Sequence, residues 1–329
     1  MAACCRTAFP YRHILAIVFL IAAAAFGNGQ AGASPPGYDI IIVAGQSNAV
    51  GVGLGPFTDP LESELIDGKI LQIGRVGPDN MRLIPVGNVV NGIKFDGLQH
   101  WGAHHGATAN GFALFFARHY VREELAPSRS VVIIPAARGG TSILEWLGEG
   151  APNHKASPPL PLYPDMIARV RAALALPGEN RVVAFLWHQG EADANLSSIP
   201  SAQNATGMTP RVYEEDLSRL IKKIRKDIPG AYPIVMGTLT PDWIPRGPNG
   251  AEIKAQIEQA IRNVAAHEEM AGVASSAGLL SNYAAGASPS PVQKVHFSAA
   301  AAVELGRRYY ETWKHIKEAQ LVPQGTQPN

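Results

Sequence analysis

Five short apolar runs, the first three ending in polar turns and all separated by segments with helical spacing, constrain this chain more than any other feature. The runs cover residues 40–43, 130–135, 181–187, 233–239 and a weaker 272–277. Runs this short and rich in β-branched residues suit central strands covered on both faces. Apolar residues recur at helical intervals over 111–125, 165–176, 209–228, 252–267 and 299–316, with Pro210 at a first helical position and Ser298 as an N-cap. Strand and helix in alternation imply a parallel sheet between two helical layers. The expected fold class is α/β, a three-layer α/β/α sandwich around a five-stranded parallel sheet. The stretch 71–99, rich in Gly, Asn and Asp, reads as irregular with a minor strand near 83–86.

Residues 1–33 read as a secretory signal peptide. Arg6 and Arg12 precede an apolar stretch over 14–26 that closes on Ala31, Gly32 and Ala33. That stretch is short for a membrane span, so the mature protein is expected to be secreted or periplasmic, with no membrane attachment. Both cysteines, Cys4 and Cys5, fall inside this segment, and a mature chain would carry neither disulfide nor thiol chemistry. Removal of the segment takes two arginines, so Lys and Arg fall from 28 to 26 against 27 Asp and Glu. A chain so near neutrality has no basic footprint for nucleic acid. One domain is expected over 34–318, followed by a frayed tail at 319–329; the sequence does not define an oligomeric state.

The polar turns carry the chemistry. The first run stops at Gly45-Gln46-Ser47-Asn48, and in open parallel sheets ligands bind at the carboxyl ends of strands. Ser47 is therefore a candidate nucleophile, although a serine there also serves as a helix cap. The second run leads into Arg138-Gly139-Gly140-Thr141, where glycines allow close backbone approach. The third leads into His188-Gln189-Gly190-Glu191-Ala192-Asp193, and His296 stands near the C-terminus. A serine hydroxyl needs a base, here His296, and a tetrahedral oxyanion needs donors, for which the Ser47 and Gly140 amides and the Gln189 side chain are candidates. The surroundings of Ser47 do not match the Gly-x-Ser-x-Gly elbow. Gly51, Gly53 and Gly55 lack dinucleotide spacing, and no cofactor is expected.

Four blocks, Gly45-Gln46-Ser47-Asn48, Gly139-Gly140-Thr141 with Trp146, Trp187 through Asp193, and Val295-His296-Phe297-Ser298, resemble the SGNH hydrolases. Within them the chain is similar to the sialate O-acetylesterase-like and carbohydrate esterase family six group. The resemblance implies a flavodoxin-like fold and a metal-free serine esterase that removes acetyl groups from sugar hydroxyls. It implies Ser47 as nucleophile, His296 as base, and Ser47, a glycine of the Gly139 and Gly140 pair, and Gln189 as oxyanion donors. The family usually has an aspartate three residues before the histidine, where this chain has Gln293. A carboxylate from the third turn, Glu191 before Asp193, is expected to support His296 instead, the rival being a Ser-His dyad oriented by Gln293 or a backbone carbonyl.

Other residues admit two readings. Gln46, Asn48 and Trp146 are candidate substrate contacts, and Trp101, Trp146 and Trp243 are either sugar-stacking faces or plain packing. Glu191 and Asp193 either take part in catalysis or hold their turn together. His100, His104 and His105 have no acidic or cysteine partner nearby and read as polar loop residues, with no metal site expected. The expected function is a secreted carbohydrate O-acetylesterase with an acetylated glycan as its partner. The rivals are an SGNH esterase for a lipid or thioester and a catalytically weakened carbohydrate-binding descendant.

Overall fold

The sandwich forms around a sheet two strands wider than expected. The computed structural model describes residues 36–90, 93–102, 109–149 and 160–321. The signal-peptide reading of 1–33 and the readings of His104 and His105 lie outside these residues. The strands are β1 (Gly37–Gly45), β2 (Ile70–Ile73), β3 (Leu83–Pro85), β4 (Asn88–Val90), β5 (Ile93–Phe95), β6 (Arg129–Pro135), β7 (Arg181–His188), β8 (Ile234–Gly237) and β9 (Ala271–Ala274). Short helices α1 (Ser47–Val50), α2 (Glu64–Asp67), α4 (Ile143–Leu147), α6 (Glu191–Ser198) and α7 (Pro200–Thr206) sit among longer ones. The longer helices are α3 (Phe112–Glu123), α5 (Leu162–Leu174), α8 (Pro210–Asp227), α9 (Gly250–His267) and α10 (Ala299–Leu321).

The main sheet runs β3-β2-β6-β1-β7-β8-β9 and is parallel except for β3, which pairs antiparallel with β2. The expected five strands are β1, β6, β7, β8 and β9. The correction is β2 with its edge partner β3. Four residues of β2 gave too short an apolar piece to stand out from a glycine-rich stretch, and pairing with β6 supplies what local pattern lacks. The pair β4 and β5 forms a separate two-stranded sheet.

Side chains of β1 alternate between two cores, as a strand covered on both faces requires. Ile40, Ile42 and Ala44 pack with residues of α4, α5, α8 and α9, while Ile41 and Val43 pack with residues of α3 and α10. In α8, Thr209 accepts a hydrogen bond from the Val212 N–H at 3.2 Å, Pro210 opens the first turn, and Tyr213, Leu217, Leu220, Ile221 and Ile224 are buried along one face. The Ser298 hydroxyl caps α10 by accepting from the Ala301 N–H at 3.2 Å. That helix continues through Leu321, so residues 319–321 are helical where a tail was expected. Among the described residues no helix is long and apolar enough to cross a membrane.

The position of β1 decides where the chemistry lies. Its neighbours are β6 and β7, so three adjacent strands deliver three polar turns to one edge of the sheet.

Candidate active site

Ser47 leaves β1 through a turn that only glycine permits. Gly45 has φ 124°, and a side chain there would stand 2.1 Å from the His188 carbonyl oxygen, because β1 and β7 remain paired to the last residue. The chain then enters the single turn of α1 with Ser47 as its first residue. From the far end of the sequence His296 brings its Nε2 to 3.1 Å from Ser47 Oγ. The His296 Nδ1–H donates to the Gln293 side-chain carbonyl at 2.9 Å, which leaves the Nε2 lone pair facing the serine hydroxyl. Burial lowers the His296 imidazole to about 4, so it is neutral at pH 7 and able to accept a proton.

A cleft of about 740 Å³ opens over this pair. Gln46, Ser47, Gly139 and Gly140 line it on one side, and α6 and α7 line the other with Glu191, Ala192, Asn195, Leu196, Ile199 and Ala202. A side chain at Gly139 would approach Ser47 Cβ to 3.8 Å, so the glycine loop after β6 lies against the nucleophile's turn. Among the described residues neither the Ser47 nor the Gly140 N–H has a protein acceptor, and both residues face the cleft. Both are available to a developing oxyanion.

Several expected roles are corrected by the geometry. Gln189 does not line the cleft. It is fully buried, and its amide donates to the Thr141 carbonyl at 3.0 Å, to Gln46 Oε1 at 3.2 Å and to the Asp193 carboxylate. Those bonds fasten the glycine loop to the end of β7. Asp193 accepts from the Ile143 N–H, at 3.1 and 3.2 Å from its two oxygens, and so holds the first turn of α4 away from His296. Burial pushes its carboxyl up to about 7. Trp146 is fully buried against Trp187, with Nε1 donating to Thr141 Oγ1 at 3.2 Å, and has no face for a sugar. Trp101 is half-buried under the Arg75 guanidinium, and Trp243 is 8% exposed beside a second, smaller recess.

Glu191 does not reach the imidazole either. Its Oε1 accepts from Asn48 Nδ2 at 2.6 Å. The same Asn48 nitrogen donates to the Val295 carbonyl at 2.9 Å, and Asn48 Oδ1 accepts from the Phe297 N–H at 3.2 Å. Asn48 is thus a buried clamp on the residues flanking His296 and no substrate contact; Glu191 anchors it. Burial pushes the Glu191 carboxyl up to about 7 and lowers the neighbouring His188 to about 3. Their nearest approach is 3.9 Å. Gln46 does line the cleft, but its Oε1 is held by the Ala192 N–H at 3.1 Å.

Sequence reasoning missed Asn282, which secures Gln293 from behind, and the cleft wall formed by Asn195, Leu196, Ile199, Ala202 and Arg246. No motif marks them; a polar asparagine in an irregular segment carries no local signal. His100 is fully buried, with Nδ1 accepting from the Ala137 N–H at 3.1 Å, which fits a structural residue better than a loop one. No cluster able to hold a metal ion occurs among the described residues.

Residues 37–315 match the family described as "Carbohydrate esterase, sialic acid-specific acetylesterase". The chain is 28% identical over 211 residues to an Escherichia coli (strain K12) protein named probable 9-O-acetyl-N-acetylneuraminic acid deacetylase. It is 29% identical over 195 residues to a probable carbohydrate esterase of Arabidopsis thaliana. These matches cover 56% and 59% of this chain, and the chain spans only 63% and 65% of those relatives' lengths. A solved Arabidopsis thaliana structure shares the fold, with a TM-score of 0.57 at 20% identity over 85% of this chain and 98% of that one.

Proposed function

The chain belongs to the carbohydrate esterase family of sialic acid-specific acetylesterases, and on that premise we propose that it is a serine esterase that removes O-acetyl groups from carbohydrates. The observation that carries the reading is the Ser47 Oγ to His296 Nε2 contact of 3.1 Å at the mouth of the cleft. Ser47 Oγ attacks the acetyl carbonyl carbon while its proton passes to His296 Nε2. The carbonyl electron pair moves onto oxygen, where the Ser47 and Gly140 N–H groups receive it. As the tetrahedral adduct collapses, the bond to the sugar oxygen breaks and that oxygen takes the proton from His296. Water, deprotonated by the same imidazole, then cleaves acetyl-Ser47, releasing acetate and restoring the serine.

Gly139, Gly140 and the buried Gln46 beside Ser47 leave room for a small acyl group next to the nucleophile, with Leu196, Ile199 and Ala202 set on the opposite wall. This favours acetyl over lipid esters. The sugar-facing wall is α6 and α7, and acetylated sialic acid, suggested by the deacetylase relative, is the first substrate to test, beside acetylated xylan and other acetylated glycans. A weakened, binding-only descendant is disfavoured because Gln293 presents its carbonyl to Nδ1 and keeps His296 in the tautomer a base needs. Export belongs to the same reading, with residues 1–33 acting as a signal peptide and maturation near Ser34; N-terminal sequencing of the exported product tests it. Acetate release from a panel of acetylated glycans, with Ser47→Ala as the control, tests the activity. Equal release by the two proteins would end the proposal.

A further inference from the structure

Every carboxylate at this end of the sheet has a partner other than His296. Glu191 accepts from Asn48, Asp193 from Ile143 and Gln189, and Asp242 from the Ser281 hydroxyl at 2.7 Å. What holds the imidazole is a pair of amides. Gln293 Oε1 lies 2.9 Å from His296 Nδ1 and also accepts from Asn282 Nδ2 at 3.2 Å. An oxygen that receives two N–H groups cannot exchange places with the amide nitrogen, because Nε2 in that position would confront two donors. Asn282 is fully buried and itself fixed: its Nδ2 donates to the Val52 carbonyl at 2.9 Å, and its Oδ1 accepts from the Leu54 N–H at 2.8 Å. Its backbone N–H donates to the His296 carbonyl at 2.8 Å. Val52 and Leu54 follow directly on the turn that carries Ser47, so Asn282 ties the nucleophile's segment to the base's loop.

We infer that Asn282 and Gln293 form an uncharged positioning relay that holds His296 as a neutral base, so that the esterase keeps its activity into acidic solution. The inference rests on the serine-esterase reading above. A carboxylate at position 293 would stabilise the imidazolium and raise its pKa; two amides fix the tautomer and leave the charge unstabilised. The charged groups around this corner include Glu191 and Arg246 across the cleft, Lys294 beside the loop with its ammonium over the Tyr283 ring, Asp242 behind it, and Lys254, whose ammonium donates to the Thr240 carbonyl at 2.7 Å. None of them bonds the imidazole. Its burial, with the ring lowered to about 4, agrees with a base that stays unprotonated well below neutrality.

The test is the pH profile of kcat/KM for 4-nitrophenyl acetate, read as acetate release by the full-length protein. In Gln293→Glu, which keeps the side-chain length and adds a carboxylate, the acid limb should move to higher pH by at least about one unit. In Gln293→Leu, which fills the same space without an acceptor, kcat should fall at least about tenfold while KM changes little. Asn282→Ala should lower kcat in the same sense, and combined with Gln293→Leu it should add almost nothing, as members of one relay do. An unmoved acid limb in Gln293→Glu, or wild-type kcat in Gln293→Leu, would overturn the relay. Both of these variants change a half-buried side chain, so the relay can be overturned whether or not Asn282→Ala folds. Ser47→Ala is run alongside. Activity persisting there would refute the esterase reading itself, whereas an inactive Ser47→Ala with an unmoved Gln293→Glu limb refutes only the relay.

Discussion

The two ends of β1 solve the problem of buried polar groups in opposite ways. At its start Asp39 is fully buried but surrounded by donors: Arg129 Nη2 at 2.8 Å, Arg181 Nε at 2.7 Å and the Tyr120 hydroxyl at 2.7 Å. Against the upward pull of burial, these bonds hold its carboxyl below the ordinary range. At the carboxyl end, eight residues on, burial wins. Glu191 and Asp193 are pushed up to about 7, and the buried atoms His188 Nε2, Glu191 Oε2 and Gln189 Oε1 have no hydrogen-bond partner. A satisfied buried charge stabilises a fold, whereas a concentration of perturbed and unsatisfied groups marks a place where stability has been subordinated to chemistry.

The contrast breaks most sharply if the two ends are mutated in turn. Ser47→Ala should lower kcat by about 10⁴-fold or more while leaving the unfolding midpoint nearly unchanged, since the only bond lost, to His296 Nε2, faces the open cleft where water can replace it. Steady-state kinetics beside a urea melt checks both halves, and a serine-directed phosphonate should label wild type alone. Asp39→Ala should do the reverse. It deprives the buried Arg129 guanidinium, 3% exposed, of the Asp39 carboxylate and should cost about 3–5 kcal/mol of stability with kcat of the folded fraction unchanged. Loss of kcat in Asp39→Ala at temperatures where it is folded would show that the two ends are coupled through β1.

How much of this was legible in the sequence follows the same division. Ser47, Gly139, Gly140 and His296 were readable because strand ends of a parallel sheet meet along one edge, and the apolar runs showed where the strands stop. The roles of Gln189, Asn48, Asp193 and Trp146 were not, although each stands one to six residues from a group that lines the cleft. In such turns direction decides between cleft and core, and although Gly190 with φ 138° marks a turn, the residue type does not show which way the side chains on either side of it point. Glu191 was placed correctly at the crevice, but its distance to His296 depends on Asn48 lying between them, a contact spanning 143 positions of sequence. Asn282 was invisible because two of its partners are backbone groups of Val52 and Leu54. The edge strands were missed for a related reason: four residues of β2 form a strand only because β6 is there to pair with them.

Asn48 sharpens the comparison, being a buried polar group at the catalytic end that is fully engaged. Asn48→Ala releases both Val295 and Phe297 from α1 and removes the donor to Glu191. The His296 loop should lose its register with Ser47, and misplacement by about an ångström can cost about 10²-fold in rate. We expect kcat to fall by roughly 10- to 100-fold with KM changed by less than about threefold. A change confined to KM would mean that Asn48 contacts substrate after all.

The smallest effect is also the most specific to the contrast, because it concerns the sign of a pH dependence. The Glu191 carboxyl has a folded value of about 7 against an ordinary 4.5, so between those limits the folded state holds a proton that the unfolded state has released. Its contribution to stability is complete below the unfolded value and is lost as pH rises through the folded one, with a slope of at most about 1.4 kcal/mol per pH unit. Asp39 behaves oppositely: its lowered value gives stability that is present at neutral pH and is lost on acidification through the folded value. Glu191→Gln keeps a carbonyl for Asn48 to donate to and cannot ionise. Its stability relative to wild type should therefore climb from pH 4.5 to about 7 and then level. The buried His188, lowered to about 3, is common to both proteins and cancels in the difference. Urea midpoints of the pair across that range decide the matter. Parallel curves would mean that Glu191 is already ionised in the folded protein, with His188 as its charged partner, and that the two ends of β1 differ less than their geometry suggests.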